Sequence, residues 1–119
     1  MNDAGNDKKK NAWLFGRTSE SLAVWMLRLK GYRIIARDHR TGAGEIDIIA
    51  KRGGMLAFVE VKARRDFESA AYAIGQRQQE RITRAAGAYI ARHPGCAELN
   101  LRFDVILMAP GGWPISREI

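Results

Sequence analysis

Cysteine occurs once in 119 residues, as Cys96, which excludes an internal disulfide and a cysteine-built zinc site. The two histidines form no cluster, a further count against zinc. No apolar run approaches the ~20 residues of a membrane-spanning helix. Residues 1–11 are polar, with Lys8-Lys9-Lys10, and lead into no apolar stretch of a secretion signal. The expected location is therefore the cytoplasm, with no membrane partner. Acidic residues are also scarce: 13 stand against 20 Lys and Arg, for a net charge of +7. A polyanion is the natural partner of such a surface, although ribosomal and membrane-surface proteins share this composition. At this length, with 46% hydrophobic residues, the chain holds one core and one domain. There is no internal repeat.

Residues 1–12 read as a disordered basic tail and 13–119 as the single domain. Thr18 is a good N-cap and Gly31 a good helix stop; between them Leu22, Ala23, Met26, Leu27 and Leu29 follow helical spacing. Tyr32 to Asp38 reads as a strand and His39 to Gly44 as a flexible turn. Strands from Glu45 to Arg52 and from Met55 to Arg64 meet at Gly53-Gly54, a dipeptide suited to a two-residue hairpin. A polar loop from Arg65 to Ser69 and a helix from Ala73 to His93, ended by Pro94-Gly95, come next. Leu101 to Ala109 is the last clear strand; Trp113 to Ile119 is an edge strand or a docked extension. The long helical connection implies a right-handed parallel crossover. The expected fold is α/β, a three-layer α/β/α sandwich with a small mixed sheet in the order α-β-β-β-α-β.

A two-residue turn at Gly53-Gly54 pairs Arg52 with Met55, which sets Asp47 opposite Glu60 and Glu45 opposite Lys62. Cross-strand Cβ atoms lie about 4.5–5.5 Å apart, and like charges at that distance repel. Alternation puts Ile46, Ile48 and Ala50, with Val59, Val61 and Ala63, on one apolar face, and the charges on the other. A buried unpaired carboxylate is costly, so the pair calls for a positive partner. Asp47, Glu60 and the carbonyl of Val61 suit a hard cation, Mg²⁺ or Mn²⁺. Lys62 beside the ion would orient an attacking water or stabilise charge on a phosphate oxygen. Together these parts suit metal-assisted phosphodiester hydrolysis. An ordinary Glu45–Lys62 ion pair, with Asp47 and Glu60 solvated on a sheet rim, is the alternative.

Glu20 borders the apolar stripe of the first helix; it either serves the helix dipole or leans towards the same metal. Gln78 sits within the apolar stripe of the second helix, four residues from Ile74 and from Ile82, and must be satisfied by the carboxylate cleft or a substrate phosphate. Arg77, Arg81 and Arg84 form a neighbouring ridge that is either a solvated face or a phosphate contact.

Four stretches carry a resemblance: Gly16 with Glu20, then Gly44-Glu45-Ile46-Asp47-Ile48-Ile49, Phe58-Val59-Glu60-Val61-Lys62, and Arg102-Phe103-Asp104-Val105. From Trp13 to Met108 the chain resembles the YraN family of uncharacterised bacterial proteins. That family is similar to the PD-(D/E)XK nuclease superfamily, with a restriction-endonuclease-like core and a likeness to archaeal Holliday-junction resolvases. The resemblance implies Asp47 and Glu60 as metal ligands, Lys62 as catalytic lysine and Glu20 as the helix-borne acid. Asp104 belongs to the pattern either as a structural hydrogen bond or as a catalytic part. Gln78-Gln79 stands where the family has Lys-Gln, and the chain stops at Ile119, short of the family's usual apolar end, so an incomplete last strand is expected. The reading is a nuclease acting on DNA, with Arg33, Arg37, Arg40, Arg64, Arg77 and Gln78 holding the substrate backbone. A branched junction would suit a two-fold homodimer. A non-catalytic nucleic-acid-binding module and a protein-binding scaffold are the rival readings.

Overall fold

The computed structural model describes residues 18–119; the expected disordered tail, together with Trp13 and Gly16, lies outside them. Residues 18–29 form helix α1. Strands β1 (Arg33–Thr41), β2 (Gly44–Arg52) and β3 (Met55–Ala63) follow. Helices α2 (Phe67–Tyr72) and α3 (Gln76–Arg92) and a 3₁₀ turn at Pro94–Glu98 then lead to β4 (Asn100–Met108) and β5 (Ile115–Glu118). The sheet runs in the order β1-β2-β3-β4-β5. Only the β3–β4 pairing is parallel, as the helical crossover requires. Among the described residues no helix is long and apolar enough to cross a membrane.

Helices cover both faces of this sheet. Ala23, Val24 and Leu27 of α1 pack on Ile48, Ala50, Ala57, Val59, Ile106 and Met108. Ala85, Ala86 and Tyr89 of α3 pack on Ile46, Ile49, Leu56 and Phe58, while Ala70 of α2 covers Val105 and Leu107. The result is the expected mixed α/β sandwich with a restriction-endonuclease-like arrangement. Gly31, at φ +92°, ends α1: its N–H donates to the Arg28 carbonyl, and that of Tyr32 to the Leu27 carbonyl.

Several boundaries differ from the sequence reading, each for a local reason. Leu22 and Leu29 point outward, 51% and 86% exposed, so the buried stripe of α1 is narrower than its apolar residues suggested. Strand β1 continues to Thr41, and the expected flexible turn shrinks to Gly42-Ala43. The Thr41 hydroxyl closes that turn, donating to the Gly44 carbonyl and accepting from the Ala43 N–H. The expected polar loop holds the first turn of α2, because Asp66 caps that helix by accepting from the Ser69 N–H at 2.7 Å. The helix expected from Ala73 starts three residues later, at Gln76, because Gly75 is an extended N-cap with φ −80° and ψ 177°. The ambiguous tail supplies β5, which pairs with β4.

Candidate metal centre

The hairpin register around Gly53-Gly54 runs as the turn dictates, from Arg52↔Met55 to Ile48↔Val59. It would next place Asp47 opposite Glu60, but the β2–β3 pairing stops there. β2 stays paired with β1 through His39↔Ile46 and Arg40↔Glu45, while β3 stays paired with β4 through Glu60↔Val105 and Lys62↔Leu107. The sheet therefore forks, and Asp47 fills the fork: its Oδ2 accepts from the Val61 N–H at 2.9 Å. That bond satisfies a backbone donor that the parted strand leaves without a ladder partner.

The fork also breaks the alternation expected for β2. Ile46 joins the α3 side and Ile48 the α1 side, so Ile46, Ile48 and Ala50 do not share one face. The neighbouring strand is distorted too, since Asp38 has φ +47° in the left-handed region, where Asp and Asn are tolerated best. Glu45, expected opposite Lys62, instead faces Arg40 across β1–β2, with 3.8 Å between their charged atoms.

Glu60, 2% exposed, lies beside the fork. Its Oε2 accepts from Gln78 Nε2 at 2.9 Å and Arg81 Nη2 at 3.2 Å, with Lys62 Nζ at 3.5 Å. Its Oε1 is buried and has no hydrogen-bond partner among the described residues. Such an atom carries the full cost of desolvation unless something else completes it. On the other side, carboxylate oxygens of Glu20, Asp38 and Asp47 all lie within 4.8 Å of one another. Burial, and then the charge of Glu60, pushes Asp47 up to about 7, against the lowering effect of the Val61 N–H. Glu20 is also raised, first by burial and then by Asp38, with Arg37 opposing. Oxygen donors without histidine suit Mg²⁺ or Mn²⁺, and the orphan oxygen of Glu60 fits a cation as its missing partner.

Fold geometry thus brings Glu20, Asp47, Glu60, Val61, Lys62 and Gln78 into one region. The contact that Val61 makes there is through its N–H. Two participants escaped the sequence reading. Asp38 was assigned to a strand end, although counting back from Thr41↔Gly44 sets it opposite Asp47. Arg81 was grouped with the outer ridge of Arg77 and Arg84, yet it turns inward onto Glu60 and donates to the Glu45 carbonyl at 2.9 Å. Gly44 makes room for it: a Cβ there, already strained at φ +142°, would sit 3.2 Å from the guanidinium. Of the expected backbone-holding arginines, only Arg37 reaches the centre, through Glu20. Arg33 and Arg77 are exposed, Arg40 faces Glu45, Arg64 donates to the Ala63 carbonyl, and Arg37 pairs with Glu20 at 3.4 Å. Asp104 lies outside the centre, where both its oxygens accept from Arg102 Nε, at 3.0 and 2.8 Å.

Residues 19–108 match an uncharacterised protein family, UPF0102. A UPF0102 protein of Parvibaculum lavamentivorans is 52% identical over 103 residues, covering 87% of this chain and 77% of that protein. One of Rhodopseudomonas palustris is also 52% identical over 103 residues, covering 87% and 79%. A UPF0102 protein of Brucella canis is 45% identical over 108 residues, covering 91% and 86%.

Proposed function

This chain belongs to UPF0102, the YraN family that its motifs resemble, and we propose that it is a divalent-metal-dependent nuclease hydrolysing phosphodiester bonds in DNA in the cytoplasm. The observation that carries the proposal is the buried, partnerless Oε1 of Glu60 beside Asp47, a carboxylate whose ionisation burial resists. Asp47, Glu60 and the Val61 carbonyl would hold Mg²⁺ or Mn²⁺, with Glu20 and Asp38 completing the acidic set. When bound, the ion supplies Lewis-acid stabilisation of the phosphate and a water more easily deprotonated.

The remaining work falls to side chains. Gln78 and Arg81 grip Oε2 of Glu60, so that Oε1 would be the oxygen free to hold the ion. Lys62, 17% exposed, lies where an ammonium can orient the attacking water or stabilise charge on a phosphate oxygen. Arg37 holds Glu20 from the rim. Substrates with branched arms would suit a two-fold homodimer.

Labelled duplex, single-stranded, flapped and four-way DNA, incubated with Mg²⁺ or Mn²⁺, test this reading. Metal-dependent cleavage that disappears in Asp47→Ala and Glu60→Ala is the expected result. One observation favours a second reading: Arg81 and Lys62 already set positive charge against Glu60. A chain that bound DNA salt-sensitively but cleaved none of these substrates would be the non-catalytic module instead.

A further inference from the structure

The two histidines of the chain meet at the C-terminal end of α3. His39 of β1 touches Tyr89 edge to face, 5.2 Å between ring centroids, and His93 stacks on Tyr89 at 4.0 Å. His93 Nδ1 lies 2.8 Å from the Tyr89 carbonyl. A carbonyl only accepts, so Nδ1 carries the hydrogen and Nε2 is left for another partner. Between these rings opens a cleft of about 510 Å³, bordered by Arg40 and the Gly42 turn on one side and by Arg92 on the other. Every charged residue in its lining is cationic. Arg40, 88% exposed, has only Glu45 at 3.8 Å as an acidic partner among the described residues, and Arg92 has none there.

A helix C-terminus favours cations through its dipole, which by itself explains Arg92 and His93. It does not explain His39 and Arg40, which come from the opposing strand, nor the open space between the two pairs. Two guanidinium groups lining one cleft repel each other unless an anion joins them. The cleft is also aligned with the metal centre. Gln78, Arg81, Ala85, Tyr89 and Arg92 recur every three or four residues and so share one stripe of α3. Arg81 touches Glu60 at one end of the stripe, and Arg92 borders the cleft at the other. Eleven residues at 1.5 Å each separate them by about 16 Å, a span that a few successive phosphates of one strand cover.

We propose that this cleft is a phosphate-binding subsite, occupied by a backbone phosphate of a nucleic-acid strand a few nucleotides from the bond at the metal centre. The chemistry recognised is the phosphate group, which a free nucleotide also carries. The backbone as its source rests on the nucleic-acid reading above.

Binding of fluorescent duplex and four-way DNA, measured by anisotropy in EDTA across a salt series, tests the subsite without interference from hydrolysis. Arg40→Gln/Arg92→Gln removes the two guanidinium groups; Arg65→Gln/Arg117→Gln removes equal charge elsewhere. All four residues are exposed, and melting curves check that both variants remain folded. The cleft variant should bind about tenfold more weakly at 0.1 M salt, with a log–log salt slope shallower by about 0.9, one phosphate contact. The control should lose less than about threefold. Inorganic phosphate alone, titrated in an NMR experiment, should move the imidazole signals of His39 and His93. Equal losses in the two double variants would mean diffuse charge and overturn the subsite. Phosphate-shifted imidazoles with unaltered DNA affinity in the cleft variant would mean a small phosphate compound and overturn the backbone assignment. If the parent cleaves DNA while the cleft variant binds as the parent does, the subsite fails and the nuclease reading stands. A parent that neither binds nor cleaves DNA ends both.

Discussion

Neighbouring strands of this sheet bury two carboxylates in opposite ways. On β4, Asp104 is 5% exposed and is closed off: Arg102 Nε reaches both its oxygens, and the same guanidinium extends to Glu118 at 3.6 Å. On β3, Glu60 is 2% exposed and is left open: three donors crowd Oε2 while Oε1 has none. The rows are adjacent, since Val59 pairs with Asp104 and Glu60 with Val105. Burial alone therefore does not mark a functional acid. What separates the two is whether the protein completes the group itself, and on the proposed reading this contrast favours the structural option for Asp104.

The comparison can be broken most severely at Glu60. Glu60→Gln should lower metal-dependent cleavage more than about 100-fold, beyond the loss typical of a residue that only supports a ligand. It should also abolish any rise in melting temperature on adding Mn²⁺. If Mn²⁺ stabilises the variant as much as the parent, Glu60 is not completed by metal. Asp104→Ala should do the reverse, costing about 2 kcal/mol of stability in urea denaturation with metal binding unchanged. That figure is taken below the range for breaking a fully buried pair because Arg102 is partly exposed. Loss of Mn²⁺ binding in a folded Asp104→Ala chain would erase the contrast.

Gln78→Ala sharpens the open side, because it removes one donor from Oε2 and loosens the carboxylate. Mn²⁺ affinity by calorimetry should fall about tenfold, the lower end for a supporting hydrogen bond. The smallest effect should be on stability against pH in metal-free solution. Asp47 is raised from 3.8 to about 7 in the fold. Between those values the unfolded chain has lost the proton that the native one retains, so stability declines as pH rises from about 4 to about 7, then levels off. Asp47→Asn should flatten this part of the melting-temperature profile; an equally steep profile in the variant would assign the slope to another group.

Local signals in the chain mark the turn at Gly53-Gly54, the stop at Gly31 and the strands between, and from the turn the register follows by counting as far as Ile48 and Val59, one pair short of Asp47 and Glu60. Helix α2 was legible in principle, through the Asp66 cap, but its first turn lies in the polar stretch from Arg65 to Ser69 that reads as a loop. Arg81 carried no such signal. On a helical wheel it groups with Arg77 and Arg84, and only the placement of Gly44 and Glu60 across the helix turns it inward. Asp38 was hidden because its partner depends on how far β1 continues.

The sequence by itself determined the two longer helices, the first four strands, the hairpin register near its turn and the acidic and basic residues available, because turn chemistry and side-chain periodicity act over a few residues. Only the tertiary structure decided that β2 and β3 part at Asp47, that Asp104 finds an arginine, and that one oxygen of Glu60 finds nothing. The physical reason is that desolvation and hydrogen-bond satisfaction depend on every element packed around a group, and those neighbours come from distant parts of the chain.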